Sequence, residues 1–173
     1  MPDTLNTDAQ QPIDGLLRRE LTRLGWLGVA GLAGGCFLLE LTWVWQSALQ
    51  WLVQAGLVWA FLCYQTKQRL PLNRPDPKAP LYKDLGWANR VTLLRAWLIA
   101  AVAGFLFQPW PEGPALAWLP GMLYLLAAVL DRVDGFVARR TGQSSLLGIE
   151  LDTLSDALGL AIASLLAFGY EQV

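Results

Sequence analysis

Apolar residues in this chain are gathered into five long blocks, at about 24–45, 48–65, 91–109, 115–133 and 148–169, with polar residues confined between them. Each block approaches the roughly 20 residues that a membrane-spanning helix needs. Residues 1–14 are polar and acidic and are expected to be disordered. Leu16 to Leu24 read as a short amphipathic lead-in. Residues 66–84 carry four prolines among charged residues, which predicts an extended, solvated linker. The pattern therefore predicts an all-α integral membrane protein of about five transmembrane helices. It divides into a polar and amphipathic segment over 1–23, a hairpin over 24–65, the linker over 66–84 and a three-helix unit over 85–173. No internal repeat is visible.

Composition supports the membrane reading. The chain has 173 residues, of which 54% are hydrophobic and 16% charged, well below the quarter charged in soluble domains. A net charge of -1 argues against nucleic acid as a partner. The N-terminal apolar block is too long for the h-region of a secretory signal. Cys36 and Cys63 both fall in apolar blocks, so a disulfide framework is not expected.

The basic residues then predict orientation. Arg18, Arg19 and Arg23 precede the first block; Lys67, Arg69, Arg74, Lys78, Lys83 and Arg90 lie between the second and third; Arg132, Arg139 and Arg140 lie between the fourth and fifth. Arg95 sits in the first turns of the third block, where a snorkelling anchor and a phosphate contact are equally good readings. The other inter-block loops and the tail after Gly169 have no Lys or Arg. All basic residues thus fall on one face of a five-span arrangement, which predicts a cytoplasmic N-terminus. Trp43, Trp45, Trp110 and Trp118 fall near the opposite interface, as aromatic belts do.

Four carboxylates carry the chemistry. Asp131 and Asp134 are three apart at the end of the fourth block, and Asp152 and Asp156 are four apart at the start of the fifth, so each pair shares a helix face. The short loop over 140–147 turns the chain back and lets the faces meet. Ionisable residues in a membrane segment point to function, and four converging carboxylates repel unless cations join them. Oxygen donors suit Mg²⁺ or Mn²⁺, and a pair of such ions can clamp a phosphate. Gly135, Ala138 and Gly148 leave room for a ligand, while Arg139 and the Ser145 hydroxyl suit phosphate oxygens. Asp156 lies deepest in its span, where a desolvated carboxylate would serve as general base.

The spacing Asp131-x2-Asp134-Gly135-x2-Ala138-Arg139-x8-Gly148-x3-Asp152-x3-Asp156 resembles the signature of the CDP-alcohol phosphotransferase (CDP-alcohol phosphatidyltransferase) family at every fixed position. Upstream, Asn89-x2-Thr92-x2-Arg95 resembles the pattern that opens the family's first core helix. The resemblance covers roughly residues 85–170. It implies a membrane enzyme that moves a phosphatidyl or similar group from a CDP-alcohol such as CDP-diacylglycerol to a small alcohol acceptor, releasing CMP, in phospholipid biosynthesis. It further implies two divalent ions, Mg²⁺ or Mn²⁺, on Asp131, Asp134, Asp152 and Asp156, with Asp156 also deprotonating the acceptor. Contacts to the CDP moiety would come from Gly135, Ala138, Arg139, Ser145 and Gly148, with Asn89 and Thr92 as further candidates. A homodimer in the bilayer with a cytoplasm-facing site is implied too. The family core has six helices, so residues 85–173 would supply its first three.

Two other functional classes fit parts of the sequence: a non-catalytic membrane protein that binds CDP-lipid or a partner through the same fold, and a cation transporter. The intact motif argues against the first. The second would need polar residues continuing across the spans, and above the aspartates only Ser164 interrupts the fourth and fifth blocks. In the hairpin, Gly31-x3-Gly35 offers a helix-packing face.

Overall fold

The computed structural model describes residues 4–109, 114–142 and 144–170, with side chains within 13–109, 116–142 and 144–170. Trp110 and residues 171–173 lie outside the described residues. Five α-helices follow in order: α1 (Thr4–Glu40), α2 (Trp45–Arg69), α3 (Gly86–Ala103), α4 (Pro114–Thr141) and α5 (Leu146–Gly169), with a 3-10 turn over Leu70–Leu72 extending α2. The described residues contain no strand. Four segments are long and apolar enough to cross a membrane: Ile13–Glu40, Trp45–Leu72, Leu116–Thr141 and Leu146–Gly169.

The fifth expected span, over 91–109, is different in kind. It is α3, only 18 residues long, and its polar Asn89, Arg90, Thr92 and Arg95 keep it out of the apolar set. The other helices pack around it, and most of its residues are buried. A short helix wrapped by longer ones can carry polar side chains that lipid would not tolerate.

The N-terminal helix also departs from expectation. It starts at Thr4 rather than near residue 24, taking most of the segment expected to be disordered. The physical reason is the leucine spacing of the lead-in. Leu17 and Leu21, one turn apart, bury against Leu70, Leu85, Leu93, Leu147 and Leu151, so the lead-in has a core to pack on and continues the span as one helix.

The linker is likewise not simply solvated. Asn73 is fully buried and Leu81 is buried; Tyr82 N donates to Asn73 O at 2.8 Å, and Leu146 N donates to Arg74 O at 2.9 Å. The proline-rich stretch therefore folds back as a cap over the start of α3 and α5. Backbone groups that prolines leave without helical partners find them across this loop instead.

Tryptophans close the hairpin and join it to α3. Trp59 Nε1 donates to Gly25 O at 3.0 Å and Trp97 Nε1 to Gly28 O at 2.9 Å. Trp51 Nε1 donates to Ala101 O at 2.9 Å. A Cβ on Gly28 would lie 2.5 Å from the Trp59 ring, one on Gly31 would lie 2.9 Å from Trp97, and one on Gly35 would lie 3.0 Å from Trp51. Gly31 and Gly35 thus form a packing face within the chain. Both cysteines are free. Trp45 and Trp118 are exposed, whereas Trp43 stacks on Phe105 with ring centroids 5.9 Å apart.

Candidate active site

The site is built from the N-terminal half of α3 and the facing ends of α4 and α5. Asn89, Thr92 and Arg95 recur every three residues along α3, so their side chains lie on one face, and all three are buried. The aspartates lie inside their helices rather than at the ends, because α4 continues to Thr141. Gly142, with φ +64°, supplies the left-handed residue that ends α4. With α4 ending at Thr141 and α5 starting at Leu146, both helices run into the loop expected over 140–147. Ser145 caps α5, its Oγ accepting from Gly148 N at 3.0 Å.

Arg95 lies at the centre of the four carboxylates. Its Nη1 is 2.7 Å from Asp131 Oδ1 and 3.5 Å from Asp134 Oδ2. Nη1 also pairs with Asp152 Oδ1, and Nη2 pairs with Asp156 Oδ1 and reaches Asp152 O at 3.3 Å. The side chain is 2% exposed. Ligand oxygens of Asp131, Asp152 and Asp156 lie within 4.8 Å of one another. Asp134 stands outside that group, nearly buried, with Thr92 Oγ1 3.0 Å from its Oδ2.

A cavity of about 140 Å³ opens beside this cluster. Asn89, Thr92, Asp134, Gly135, Ala138, Ser145, Gly148 and Asp152 line it, so most of the nucleotide-contact candidates meet in one space. Arg139 is exposed and folds over Gly135, its Nη1 3.3 Å from where a Gly135 Cβ would be. Gly148 has a different reason to lack a side chain: a Cβ there would come 2.7 Å from Asn89 Oδ1.

The surroundings of two candidate residues differ from one another. Asp156, one turn deeper in α5 than Asp152, is at 63% side-chain exposure the most open of the four. The Ser145 hydroxyl is already engaged. Besides capping α5, it accepts from Asn89 Nδ2 at 3.0 Å, so it shapes the cavity wall more than it offers a free donor.

Two residues outside the expected set of site residues belong to the site. Arg95 was ambiguous because positive-inside anchoring explains an arginine at that position equally well. The signal that separates the readings is its register, three residues beyond Thr92 and six beyond Asn89 on the same face. Asn73 carried no such signal. It enters through the loop fold: its Nδ2 donates to Asp84 O at 2.8 Å and its Oδ1 accepts from Asn89 Nδ2 at 3.1 Å. Beside the site, Glu150 Oε2 lies 3.6 Å from Arg69 Nε.

The donor set fits divalent cations. Among the described residues one guanidinium faces four carboxylates, so most of their negative charge has no protein counter-charge. Oxygen-only donors of this kind hold Mg²⁺ or Mn²⁺ rather than a thiolate-preferring metal. The three clustered carboxylates also face outward enough for an ion to reach them.

The CDP-alcohol phosphatidyltransferase family profile matches residues 85–173. A choline/ethanolaminephosphotransferase 2 of Arabidopsis thaliana is 37% identical over 86 residues, covering 47% of this chain and 22% of the relative. A CDP-diacylglycerol–glycerol-3-phosphate 3-phosphatidyltransferase of Cereibacter sphaeroides is 35% identical over 92 residues, covering 50% and 39%. The enzyme of the same name from Pectobacterium atrosepticum is 34% identical over 85 residues, covering 47% and 45%. The chain thus spans less than half the length of these relatives. No solved structure matches. With four long apolar helices, the match makes this an integral membrane protein.

Proposed function

The chain belongs to the CDP-alcohol phosphatidyltransferase family, and from that premise we propose that it transfers a substituted phosphate group from a CDP-alcohol, such as CDP-diacylglycerol, to an alcohol acceptor in phospholipid synthesis. The observation that carries the proposal is the meeting of Asp131, Asp152 and Asp156 within 4.8 Å beside a cavity walled by small residues and by Asn89 and Thr92. Residues 85–173 carry the chemistry, and the glycine–tryptophan contacts of the hairpin brace α3. The basic residues of the polar loops support a site that faces the cytoplasm.

Asp131, Asp134, Asp152 and Asp156 would hold Mg²⁺ or Mn²⁺. Such ions, when bound, neutralise the pyrophosphate and the charge that develops on it during phosphoryl transfer. Gly135 and Ala138 leave space for the nucleotide part of the donor, and Arg139, poised over Gly135, reaches a phosphate oxygen. Asp156, open and one turn from Asp152, accepts the proton of the incoming hydroxyl. The acceptor oxygen bonds to the phosphorus that bears the donor alcohol. The bond from that phosphorus to the bridging oxygen breaks, and its electron pair leaves with CMP. Positioning of donor and acceptor on rigid helices supplies much of the rate.

The test is CMP release from CDP-diacylglycerol by the purified chain with Mg²⁺ or Mn²⁺, across a panel of alcohols, with Asp156→Ala beside it. Metal-dependent release with one alcohol, lost in the variant, is the expected result. Folded protein that binds the donor and releases no CMP with any alcohol would overturn the assignment.

A further inference from the structure

We infer that Arg95 is a built-in counter-ion that holds the four aspartates together before any metal arrives, and that the guanidinium and a divalent ion compete for the same carboxylate oxygens. The inference rests on the proposed function, since it concerns how the metal site is assembled. Asp131 and Asp134 come from α4, and Asp152 and Asp156 from α5. These two helices pack mainly on α3 and only sparsely on each other. Nothing in their direct contact would hold four like charges close together. Arg95 projects from the helix between them and reaches all four, Asp131, Asp134 and Asp152 through Nη1 and Asp156 through Nη2.

The side chain type matters as much as the charge. A guanidinium presents five donors in a planar fork and stays charged when buried, so it can bridge carboxylates on two helices at once. A lysine ammonium is a point charge on a flexible stem and cannot span them in the same way. Leaving such a cluster without its cation exposes carboxylates to mutual repulsion at short range. A divalent ion can supply the missing positive charge in place of the guanidinium. The ion needs the oxygens of Asp131, Asp152 and Asp156, each of which Arg95 contacts, so the two cations share one set of ligands.

Three chains test this in detergent: wild type, Arg95→Gln and Arg95→Lys. Thermal unfolding is followed in EDTA and in saturating Mn²⁺, and Mn²⁺ affinity is read from the electron paramagnetic resonance of the free ion. Arg95→Gln is expected to lower Tm in EDTA, to regain most of that loss in Mn²⁺, and to bind Mn²⁺ several-fold more tightly than wild type. Arg95→Lys is expected to lose Tm in EDTA and recover it in Mn²⁺, with an affinity between those of wild type and Arg95→Gln, because the charge is kept while the fork that holds the oxygens is lost. A Gln variant that folds only with Mn²⁺ present supports the inference, and one that folds in neither buffer leaves the Lys variant to decide it. Equal loss of Tm in both buffers, or Mn²⁺ affinity that is unchanged or weaker in Arg95→Gln, overturns it and leaves the proposed function intact. A wild-type chain that takes up no Mn²⁺ overturns both.

Discussion

Asn89 Nδ2 donates to Ser145 Oγ at 3.0 Å, tying the first turn of α3 to the cap of α5 across 56 residues of sequence. The same amide nitrogen faces Asn73 Oδ1 at 3.1 Å and Leu85 O at 2.8 Å. One buried side chain thus fastens the polar loop, α3 and α5 at the floor of the cavity. Ser145→Ala removes a helix cap, an effect worth about 1 kcal/mol, and also takes from the buried Asn89 Oδ1 the Ser145 hydroxyl that donates to it at 3.3 Å, which adds about 1–3 kcal/mol. Chemical denaturation should therefore show a larger loss for Ser145→Ala than a cap alone explains. A loss no greater than that of an ordinary cap would show that the Asn89 contact contributes little.

The two glycines flanking the cavity predict opposite outcomes. An alanine Cβ at Gly148 would lie 2.7 Å from Asn89 Oδ1, whereas at Gly135 the nearest atom is the mobile end of Arg139 at 3.3 Å. Gly148→Ala should cost about 1–3 kcal/mol of stability, as overpacking does. Gly135→Ala should fold with near wild-type stability yet weaken binding of CDP, because the added methyl occupies ligand space. Calorimetric titration with CDP in Mg²⁺, alongside unfolding curves, separates the two.

Thr92 and Asp134 form the buried half of the acidic cluster. With the hydroxyl 3.0 Å from Asp134 Oδ2, Thr92→Val keeps the volume of the side chain and removes that partner. Asp134 then keeps only the Gly135 backbone N–H and the more distant Arg95 at 3.5 Å. The expected outcome is a stability loss of about 1–3 kcal/mol for an under-satisfied buried group, together with weaker Mn²⁺ binding. Thr92→Ser should restore both, and a serine variant no better than valine would mean that the methyl group, not the hydrogen bond, matters.

The hairpin braces α3 without touching the carboxylates. A Cβ at Gly28 would sit 2.5 Å from the rigid Trp59 ring, so Gly28→Ala must displace the ring and break its 3.0 Å bond to Gly25 O. A loss of about 1–3 kcal/mol is expected, with Mn²⁺ affinity unchanged within a factor of two. Lower metal affinity at full folding would instead connect the hairpin to the site.

What the sequence made legible was set by spacing. Apolar blocks of span length gave the helices, and the fixed intervals of Asp131, Asp134, Asp152 and Asp156 gave the cluster, because helical periodicity alone decides which side chains share a face. The family likewise was legible from those intervals. Arg95 was visible yet undecided, since one arginine near a helix start has two good explanations until its neighbours in space are known. Asn73 and the early start of α1 were out of reach for a common reason. Each depends on a partner far along the chain, Asn89 for one and the Leu70–Leu85–Leu147–Leu151 cluster for the other. No local pattern encodes such pairings. Proline content argued for an extended linker, and tertiary hydrogen bonds overrode it.

The most direct test of the central claim is a Mn²⁺ titration of the purified chain without substrate, with Asp131→Asn and Asp152→Asn as comparisons. The account predicts that wild type binds Mn²⁺, up to two ions per chain, and that either substitution removes at least one of them. A wild-type chain that binds no Mn²⁺, or binding indifferent to both substitutions, would contradict the assignment of these aspartates as the metal-holding centre of a phosphotransfer site.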